Sequence, residues 1–334
     1  MKIADFDFEL NFEPYLLAEI GLNHNGSLDL AKKMIDAAKE SGAHGVKFQS
    51  FFAKNLVLET EPAFEIFNKL CLSIDEHKLL YDHCEQQQIH FLSTPFSLDW
   101  VTVLNEIGVP AFKVASGDMD YYDLIEKITE TKKPLIISSG MASESEIEHL
   151  MKQGFLTNYE CILLHCISNY PPKLEDCHIR YIQTLDKKYK NMIGISDHSA
   201  GIAVSLGAVA LGARFIEKHF TLDKNLEGPD QKMSMDPKEF KELAQATKDL
   251  SKALGSFQKP QIKDEIPMRK IARRGLYLLD NISKGSILDN SNSKFVRPFN
   301  GISSSQIRLN QKSHKWIGSD KKLLKSEDII ELNS

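Results

Sequence analysis

Cysteine is scarce in this sequence and forms no pattern typical of a disulfide framework or a zinc site. The chain has five cysteines among 334 residues, and no two of them form a CxxC pair. An odd, scattered set of cysteines is typical of reduced thiols. Cys161 and Cys166 fall in an apolar run, so we interpret them as small core residues. The cysteines favour a reducing compartment, and we expect the cytoplasm.

The chain also lacks the segments and charges that mark membrane or nucleic-acid partners. The first ten residues, MKIADFDFEL, carry acidic side chains and no apolar core of signal-peptide length. No apolar run approaches the roughly 20 residues that span a bilayer. The net charge is -5, and the basic run at residues 269–274 is short, so we interpret that run as a solvated linker or a domain contact. We therefore expect neither a membrane nor a nucleic acid as partner.

Short apolar runs recur along most of the chain, and each is followed by a turn and a helical pattern. Each run is short enough for a strand and too apolar for a one-sided sheet, which indicates strands buried on both faces. Eight alternating strand and helix patterns predict a (β/α)8 barrel. The alternative, a doubly wound open sheet, normally carries GxGxxG after its first strand, where this chain has GLNHNG. The eight runs are residues 15–19, 44–49, 89–94, 111–115, 134–138, 161–166, 192–196 and 214–219.

Capping signals support the predicted helices. Ser27 is a candidate N-cap before an apolar helical face, and Gly42 is a candidate end of that helix. Ser73 is a second candidate N-cap, and Ser143 with Glu146 has the spacing of a capping box.

The composition changes near residue 255, which suggests a second domain. Residues 256–272 are polar and contain proline, so we predict a linker there. Residues 273–334 form short, turn-rich runs that predict a small, mainly β domain. The barrel is then expected to occupy residues 1–255.

Polar side chains follow the predicted strands at their carboxyl ends, where a (β/α)8 barrel carries its chemistry. Lys47 and Lys113 bring positive charge to this end, and several hydroxyls accompany them. Lysines and hydroxyls together suit a small phosphorylated carboxylate. Either lysine could instead be structural and pair with Glu19 or Glu217.

Two histidines end the last two predicted strands. His198 and His219 are far apart in sequence, with no local metal motif between them. Each could be a hydrogen-bonded core histidine. If both lie at the same end of adjacent strands, two imidazoles suit a divalent ion with open positions.

Motifs spread over the whole chain resemble the sialic acid synthase family, whose members include the N-acetylneuraminate, legionaminate and pseudaminate synthases. The last part, from residue 273 to about residue 333, is similar to the antifreeze-like (SAF) domain of that family and contains VRPFNG. The motifs of the first part are LLAEIGLNHNGSLDLAKKMIDAA, GVKFQS, FLSTPF, PAFKVASGD, PLIISSGMAS, LLHCISNYPP, IGISDHS, LGARFIEKHF and GPDQKMSM.

The resemblance implies a (β/α)8 barrel that condenses phosphoenolpyruvate with the open-chain aldehyde of an N-acetylated mannose-type sugar. The acceptor would be N-acetylmannosamine or a 2,4-diacetamido-trideoxy hexose, and the products a sialic-acid-type nonulosonate and phosphate. The family's metal-binding histidines match His198 and His219, which implies Mn²⁺, with Mg²⁺ or Co²⁺ as alternatives.

The resemblance also assigns roles to individual residues. Glu19, His198 and His219 are expected to be catalytic. The arginine that reaches over the partner subunit's active site matches Arg297, which implies a domain-swapped homodimer. The phosphoenolpyruvate contacts match Lys47, Lys113, Ser116, Ser138 and Ser196. The sugar contacts match Gln49, Asp118, Tyr170, Asp230 and Arg297.

Two departures from the family leave the sugar open. Many members have glutamate at the position of Asp118, so the carboxyl here reaches one methylene less. The stretch between the second strand and the second helix is short, and the family's sugar-contacting asparagine has no clear match there.

Two other functions stay open at this point. A Schiff-base aldolase of the same barrel shape would use Lys47 or Lys113 as its nucleophile and would need no metal. A non-catalytic sugar-binding or ice-binding protein would leave the polar strand ends without a role.

Overall fold

The structure, a computed structural model, describes residues 1–189, 192–279, 283–299, 301–307, 314–316 and 329–331. The chain divides into two compact units, Met1–Gly255 and Ser256–Ser334. Each unit has a hydrophobic core of its own. Among the described residues, no helix has the length and apolar character needed to cross a bilayer.

A closed barrel of eight parallel strands forms the centre of the first unit. Neighbouring strands follow one another in the chain, and the last strand pairs with the first. The (β/α)8 barrel predicted from the sequence is thereby confirmed. After a small hairpin of β1 (Lys2–Ile3) and β2 (Phe6–Asp7), the barrel strands are β3 (Tyr15–Gly21), β4 (Gly45–Ser50), β5 (His90–Pro95), β6 (Phe112–Val114), β7 (Leu135–Ser138), β8 (Cys161–Cys166), β9 (Met192–Asp197) and β10 (Phe215–His219).

Helices alternate with the strands and surround the barrel. Ser27 caps α1, and Ser73 and Ser143 form full capping boxes, so the predicted N-caps are confirmed. The helices are α1 (Leu28–Glu40), α2 (Ala53–Leu56), α3 (Ala63–Leu70), α4 (Ile74–Gln87), α5 (Leu98–Ile107), α6 (Tyr122–Thr129), α7 (Glu144–Lys152), α8 (Tyr181–Tyr189), α9 (Ala203–Ala210) and α10 (Pro237–Leu254).

Side chains alternate between two layers along the barrel strands, because successive residues of a strand face opposite sides. In β3, Tyr15 and Leu17 belong to the cluster that fills the barrel interior. Leu16 and Ala18 belong to the larger cluster between the strands and the helices. By the same alternation, Glu19 faces the interior at the carboxyl end of the strand.

The N-terminal hairpin closes the bottom of the barrel, which we call the floor. Its residues Ile3 and Phe6 join the interior cluster together with Phe8. At the amino ends of β3 and β10, the rings of Tyr15 and Phe215 stack with their centroids 5.1 Å apart. The floor is therefore apolar and aromatic.

The second unit is small and mainly β. A helix, α11 (Glu265–Ala272), begins it. Strand β11 (Gly275–Leu278) pairs with β13 (Ser293–Val296), and β12 (Ile287–Leu288) pairs with β14 (His314–Trp316), which in turn pairs with β15 (Ile329–Glu331). Its core is formed by Leu276, Leu278, Leu288, Ile302 and Ile307.

The helix α11 lies within the stretch predicted to be a linker. Of the two prolines in that stretch, Pro267 stands in the first turn of the helix, where a missing backbone N–H costs no hydrogen bond, and Pro260 precedes the helix. Several of its apolar side chains, including Ile266 and Met268, are exposed. The helix has no buried residues, so no apolar face pointed to it in the sequence. The polar residues around it therefore predicted a linker.

Candidate active site

A cavity of about 300 Å³ opens at the carboxyl ends of the barrel strands, and we call this end the mouth. Its wall is formed by inward-facing residues at the strand ends and by side chains from the following loops. The strand residues are Glu19, Lys47, Gln49, Thr94, Lys113, Ser138, Cys166, Ser196, Glu217 and His219. The loop residues include Phe96, Ser116, Met141, Ser168, Tyr170 and His198.

A larger, open cavity of about 1140 Å³ lies beside the mouth, against the loops that follow β7 and β8. It shares Met141, Cys166 and Ser168 with the smaller one. We identify the smaller cavity as the candidate active site because buried charges converge on it. A cluster of buried charges is a stronger sign of chemistry than volume.

Two lysines and two glutamates form a buried charged group in the mouth. The Nζ atom of Lys47 lies 2.7 Å from Oε2 of Glu19 and donates to Oγ1 of Thr94 at 3.0 Å. The Nζ atom of Lys113 lies 3.8 Å from Oε1 of Glu217. All four charged residues are buried, and they stand on four different strands, which places them around one cavity.

Burial and neighbouring charges shift the pKa values of the two glutamates in opposite directions. Burial raises the pKa of Glu19 to about 7, although Lys47 opposes the shift. For Glu217, burial is outweighed by Lys113 and Lys47, and the pKa falls to about 2. With a proton on Glu19, the two ammonium groups and the Glu217 carboxylate leave one net positive charge. Such a cavity favours an anion.

The pKa values of the two lysines also shift in opposite directions. Burial alone lowers the pKa of Lys47, but Glu19 and Glu217 outweigh it, so that pKa is raised. Burial lowers the pKa of Lys113, and Glu217 restores only part of the difference.

Serine hydroxyls line the wall next to the lysines. The Oγ atom of Ser196 donates to Oε1 of Glu217 at 2.9 Å. The Oγ atom of Ser138 is buried and has no hydrogen-bond partner within the described residues. The Oγ atom of Ser116 accepts from the backbone N–H of Gly140 at 3.0 Å. A Cβ at Gly140 would lie only 2.7 Å from that oxygen, so glycine keeps this part of the wall open.

The two predicted histidines lie side by side at the mouth, with ring centroids 5.4 Å apart. The Nδ1 atom of His198 donates to the carbonyl of Ile167 at 3.0 Å, so the neutral form of the ring keeps a lone pair on Nε2. The Nδ1 atom of His219 is buried and lacks a hydrogen-bond partner in the described part of the chain. It lies 3.9 Å from Oδ2 of Asp230.

The donor set of these histidines fits a divalent ion with open positions. Burial, with His198 and Lys47 beside it, lowers the pKa of His219 well below its ordinary value, so its imidazole is neutral. A neutral imidazole is the form that binds a metal. Within the described residues, no three histidine, cysteine or acidic side chains form a preformed metal cluster. Two protein ligands would therefore leave most positions of the ion to substrate and water.

Three of the predicted sugar contacts lie beside the histidines. The ring of Tyr170 is centred 4.1 Å from that of His198. The Nε2 atom of Gln49 lies 3.4 Å from Oε1 of Glu19. Asp230 lies next to His219, with its Oδ2 3.9 Å from Nδ1 of the histidine, although it is not part of the cavity wall.

The other two predicted sugar contacts lie elsewhere. Asp118 ends the short 3₁₀ turn Ser116–Asp118 after β6 and is not part of the cavity wall. Its Oδ2 is buried without a partner in the described residues, and burial raises its pKa. Arg297 belongs to the second unit.

Several wall residues were absent from the predicted site. Thr94, Ser168 and Glu217 line the cavity; the sequence placed all three at the carboxyl ends of predicted strands but assigned none of them to a ligand. Cys166 was interpreted as a core residue. It is buried, but its Sγ faces the cavity 3.9 Å from Nδ1 of His198. The signal that could have identified Cys166 is the alternation of side chains along its strand. Ile162 and Leu164 face the barrel interior, so Cys166, two residues further on, faces the same side.

Comparisons with known proteins agree with the sequence motifs. A model of the NeuB family matches residues 34–259. An uncharacterized protein of Methanocaldococcus jannaschii is 43% identical over 335 residues, covering 99% of this chain and 97% of the relative. The N,N'-diacetyllegionaminic acid synthase of Campylobacter jejuni is 42% identical over 306 residues, covering 86% of this chain and 91% of the relative.

A solved structure extends the agreement to three dimensions. The crystal structure of an N-acetylneuraminic acid synthetase from Leptospira borgpetersenii matches with a TM-score of 0.73 and 38% identity, covering 77% of this chain and 90% of that chain. The resemblance predicted from the motifs is confirmed, and the chain belongs to the NeuB family.

Proposed function

We propose that this protein condenses phosphoenolpyruvate with an N-acetylated amino sugar and water, giving a nonulosonate and phosphate. The observation that carries the proposal is the convergence of two buried lysines and two adjacent histidines on one cavity of a NeuB-family barrel. The legionaminic acid synthase among its relatives favours a 2,4-diacetamido-trideoxy hexose over N-acetylmannosamine as the acceptor. The apolar side chains of Phe96 and Met141 at the mouth suit the deoxygenated carbon of such a sugar.

Phosphoenolpyruvate fits the lysine side of the cavity. Its phosphate and carboxylate would be held by Lys47 and Lys113 as point charges. The hydroxyls of Ser116, Ser138 and Ser196 would add directed hydrogen bonds. The unpartnered Ser138 hydroxyl is the clearest free donor for this purpose.

The histidine side of the cavity suits the sugar aldehyde. His198 and His219 would hold a divalent ion, for which we propose Mn²⁺, with Mg²⁺ or Co²⁺ as alternatives. When bound there, such an ion supplies Lewis-acid polarisation of the sugar's carbonyl oxygen. Gln49, Tyr170 and Asp230 would orient the sugar next to it.

The reaction forms one carbon–carbon bond and breaks one carbon–oxygen bond. C3 of phosphoenolpyruvate attacks the aldehyde carbon, whose oxygen takes up a proton and becomes a hydroxyl. The former enol phosphate is left with positive charge at C2, and water adds there and loses a proton, which gives a C2 hydroxyl. The carbon–oxygen bond to the phosphate then breaks, and phosphate leaves with that electron pair while the C2 hydroxyl becomes a ketone and gives its proton to the phosphate.

Glu19 is placed to act on C2. Its carboxyl is buried on the cavity wall and bonded to Lys47 and Gln49, which fix its direction. A pKa of about 7 keeps both forms of Glu19 accessible at neutral pH, and its ionised form would stabilise the developing cation and accept the proton of the adding water. The lysines would hold the leaving phosphate.

The remaining features of the enzyme are also proposals. We infer that the second unit is an antifreeze-like domain and that the protein is a domain-swapped homodimer in which Arg297 reaches over the partner's site. Asp118, one turn away from the mouth, would bind the sugar after a small shift of the loop. All five cysteines are free thiols, which supports a cytoplasmic location.

Phosphate release tests the proposal. The metal-stripped protein is incubated with phosphoenolpyruvate and one sugar at a time, with and without Mn²⁺. Release that requires both the ion and one sugar is expected, with the diacetamido sugar preferred to N-acetylmannosamine. Absence of release with every sugar and ion would overturn the proposed function.

The Schiff-base alternative has one feature in its favour, since burial lowers the pKa of Lys113 as such a nucleophile requires. Borohydride reduction in the presence of pyruvate would trap it as a covalent adduct. We expect no adduct, because Lys113 faces Glu217 and is positioned as a counter-charge. A trapped adduct together with metal-independent turnover would favour the aldolase.

A further inference from the structure

A buried ion pair lies behind the two histidines, on the opposite face of the strands that carry them. In β9 and β10, Ser196 and Glu217 are aligned, and so are Asp197 and Lys218. Ser196 and Glu217 face the cavity. Asp197 and Lys218 therefore face the helix layer, where both are almost fully buried, at 3% and 2% exposure.

The ammonium group of Lys218 donates hydrogen bonds to both residues that flank His198. Its Nζ donates to Oδ2 of Asp197 at 2.8 Å and to the carbonyl oxygen of Ser199 at 2.6 Å. Asp197 and Ser199 are the residues on either side of His198. Lys218 itself is the residue before His219. One side chain thus ties the backbone around one histidine to the strand that carries the other.

The Asp197 carboxylate completes this arrangement. Its Oδ1 accepts from the backbone N–H of Ser199 at 2.8 Å, which closes the turn that contains His198. Its Oδ2 also accepts from Oγ of Ser205 on α9 at 2.6 Å. The turn is therefore fixed to the neighbouring strand and to the helix behind it.

Stability alone does not require such a pair. Removing two charges from water is costly, and replacing a buried ion pair with apolar residues of similar volume is often neutral or stabilising. An apolar pair would leave the carbonyl of Ser199 and the turn around His198 without these hydrogen bonds. Only hydrogen bonds fix the orientation of that carbonyl and that turn.

We propose that Lys218 and Asp197 are positioning residues that set the distance and direction between His198 and His219, and so prepare the divalent-ion site. This inference rests on the proposed function, in which these histidines hold the ion. Groups that orient metal ligands typically change metal affinity by about 10- to 100-fold when they are removed.

Direct measurement of metal affinity tests the inference without turnover. Lys218→Met keeps the length of the side chain and removes its charge. The double variant Lys218→Met/Asp197→Asn removes both charges, so it folds even if the single variant, with its unpaired carboxylate, does not. Ser205→Ala keeps the ion pair and removes one of its supports. Free Mn²⁺ is counted by electron paramagnetic resonance, and the visible d–d bands of bound Co²⁺ report the geometry.

A matched control separates positioning from stability. Leu104→Ala opens a cavity in the helix layer on α5, which packs on β5 and α6. We expect this variant to lose thermal stability and keep its Mn²⁺ affinity. The Lys218→Met and double variants should bind Mn²⁺ about 10- to 100-fold more weakly and show altered Co²⁺ bands. Ser205→Ala should weaken binding about threefold.

The outcomes distinguish the two proposals. If the wild type binds Mn²⁺ and every folded variant binds it within twofold of the wild type, the positioning inference alone is overturned. If the wild type binds no divalent ion, the proposed function fails and this inference fails with it. An equal loss of affinity in Leu104→Ala would also count against positioning, since any destabilisation would then produce the effect.

Discussion

The floor and the mouth of the barrel are built from the same eight strands, yet their side chains differ completely. In β10, Phe215 packs in the floor and His219 lines the mouth, only four positions further along the strand. In β3, the same distance separates Tyr15 from Glu19. The floor buries aromatic rings against a hairpin. The mouth holds charges and hydroxyls around an open cavity.

The difference shows where the barrel gains and where it loses stability. Besides Oε2 of Glu19, which is ion-paired with Lys47, three polar atoms of the mouth, on Ser138, Glu217 and His219, are buried without a hydrogen-bond partner in the described residues. Each such atom costs about 1–3 kcal/mol. A buried aromatic side chain in the floor contributes about the same amount or more in the opposite direction. The floor thus offsets the cost of keeping the mouth ready for ligands.

The strongest test of this difference removes a histidine from the mouth. His219→Ala should lower kcat/KM by about 10⁴-fold, because the divalent ion that we propose to activate the sugar would lose one of its two protein ligands. The melting temperature should stay the same or rise, since an unpartnered buried nitrogen is removed. Enzyme kinetics and thermal unfolding measure the two effects.

The control for this substitution is His149→Ala, which removes an exposed histidine of α7 and should change neither quantity. Activity within tenfold of the wild type in His219→Ala would contradict the assigned role. So would a loss of stability comparable to that of a floor variant.

A floor substitution should give the opposite pattern. Phe215→Ala should lower the free energy of unfolding by about 3–5 kcal/mol, because it leaves a cavity in a packed aromatic cluster. The KM for phosphoenolpyruvate and the Mn²⁺ affinity should be unchanged for the folded molecules. Chemical denaturation measures the first, and Phe215→Leu should show a smaller loss. A raised KM for phosphoenolpyruvate without a loss of stability would contradict the proposed difference between the floor and the mouth.

The smallest expected effect concerns the edge of the mouth. Asp118→Glu lengthens a buried carboxyl by one methylene and should change the ratio of kcat/KM between the diacetamido sugar and N-acetylmannosamine by about tenfold. The KM for phosphoenolpyruvate should not change. Equal changes for both sugars would show that Asp118 does not discriminate between them.

The sequence predicted the barrel well because apolar runs and capping signals are local. Strand β8 was predicted with the bounds that the structure shows, and Ser73 and Ser143 cap helices as expected. Lys47 and Lys113 could be placed at the mouth because each lies on a predicted strand whose carboxyl end was expected to carry the chemistry. Their convergence with His198 and His219 also followed once the barrel was assumed.

What the sequence did not reveal depends on contacts between distant strands. The bond from Lys218 to Ser199 joins strand β10 to the turn after β9, and the two segments share no local motif. The position of Asp118 outside the wall depends on the path of one 3₁₀ turn. Cys166 faces the cavity because side chains alternate along its strand. An uninterrupted apolar run does not reveal which residues face which side.

The alternation along the strands has a consequence for how such an enzyme can diversify. Inward residues such as Thr94 and Ser138 line the cavity, whereas outward residues such as Phe91 and Ile137 pack in the layer between the strands and the helices. Substitutions at inward positions near the mouth can therefore change the accepted sugar while the outward positions preserve the fold. A lineage can then move from one acceptor to another in single steps, each of which still yields a folded protein.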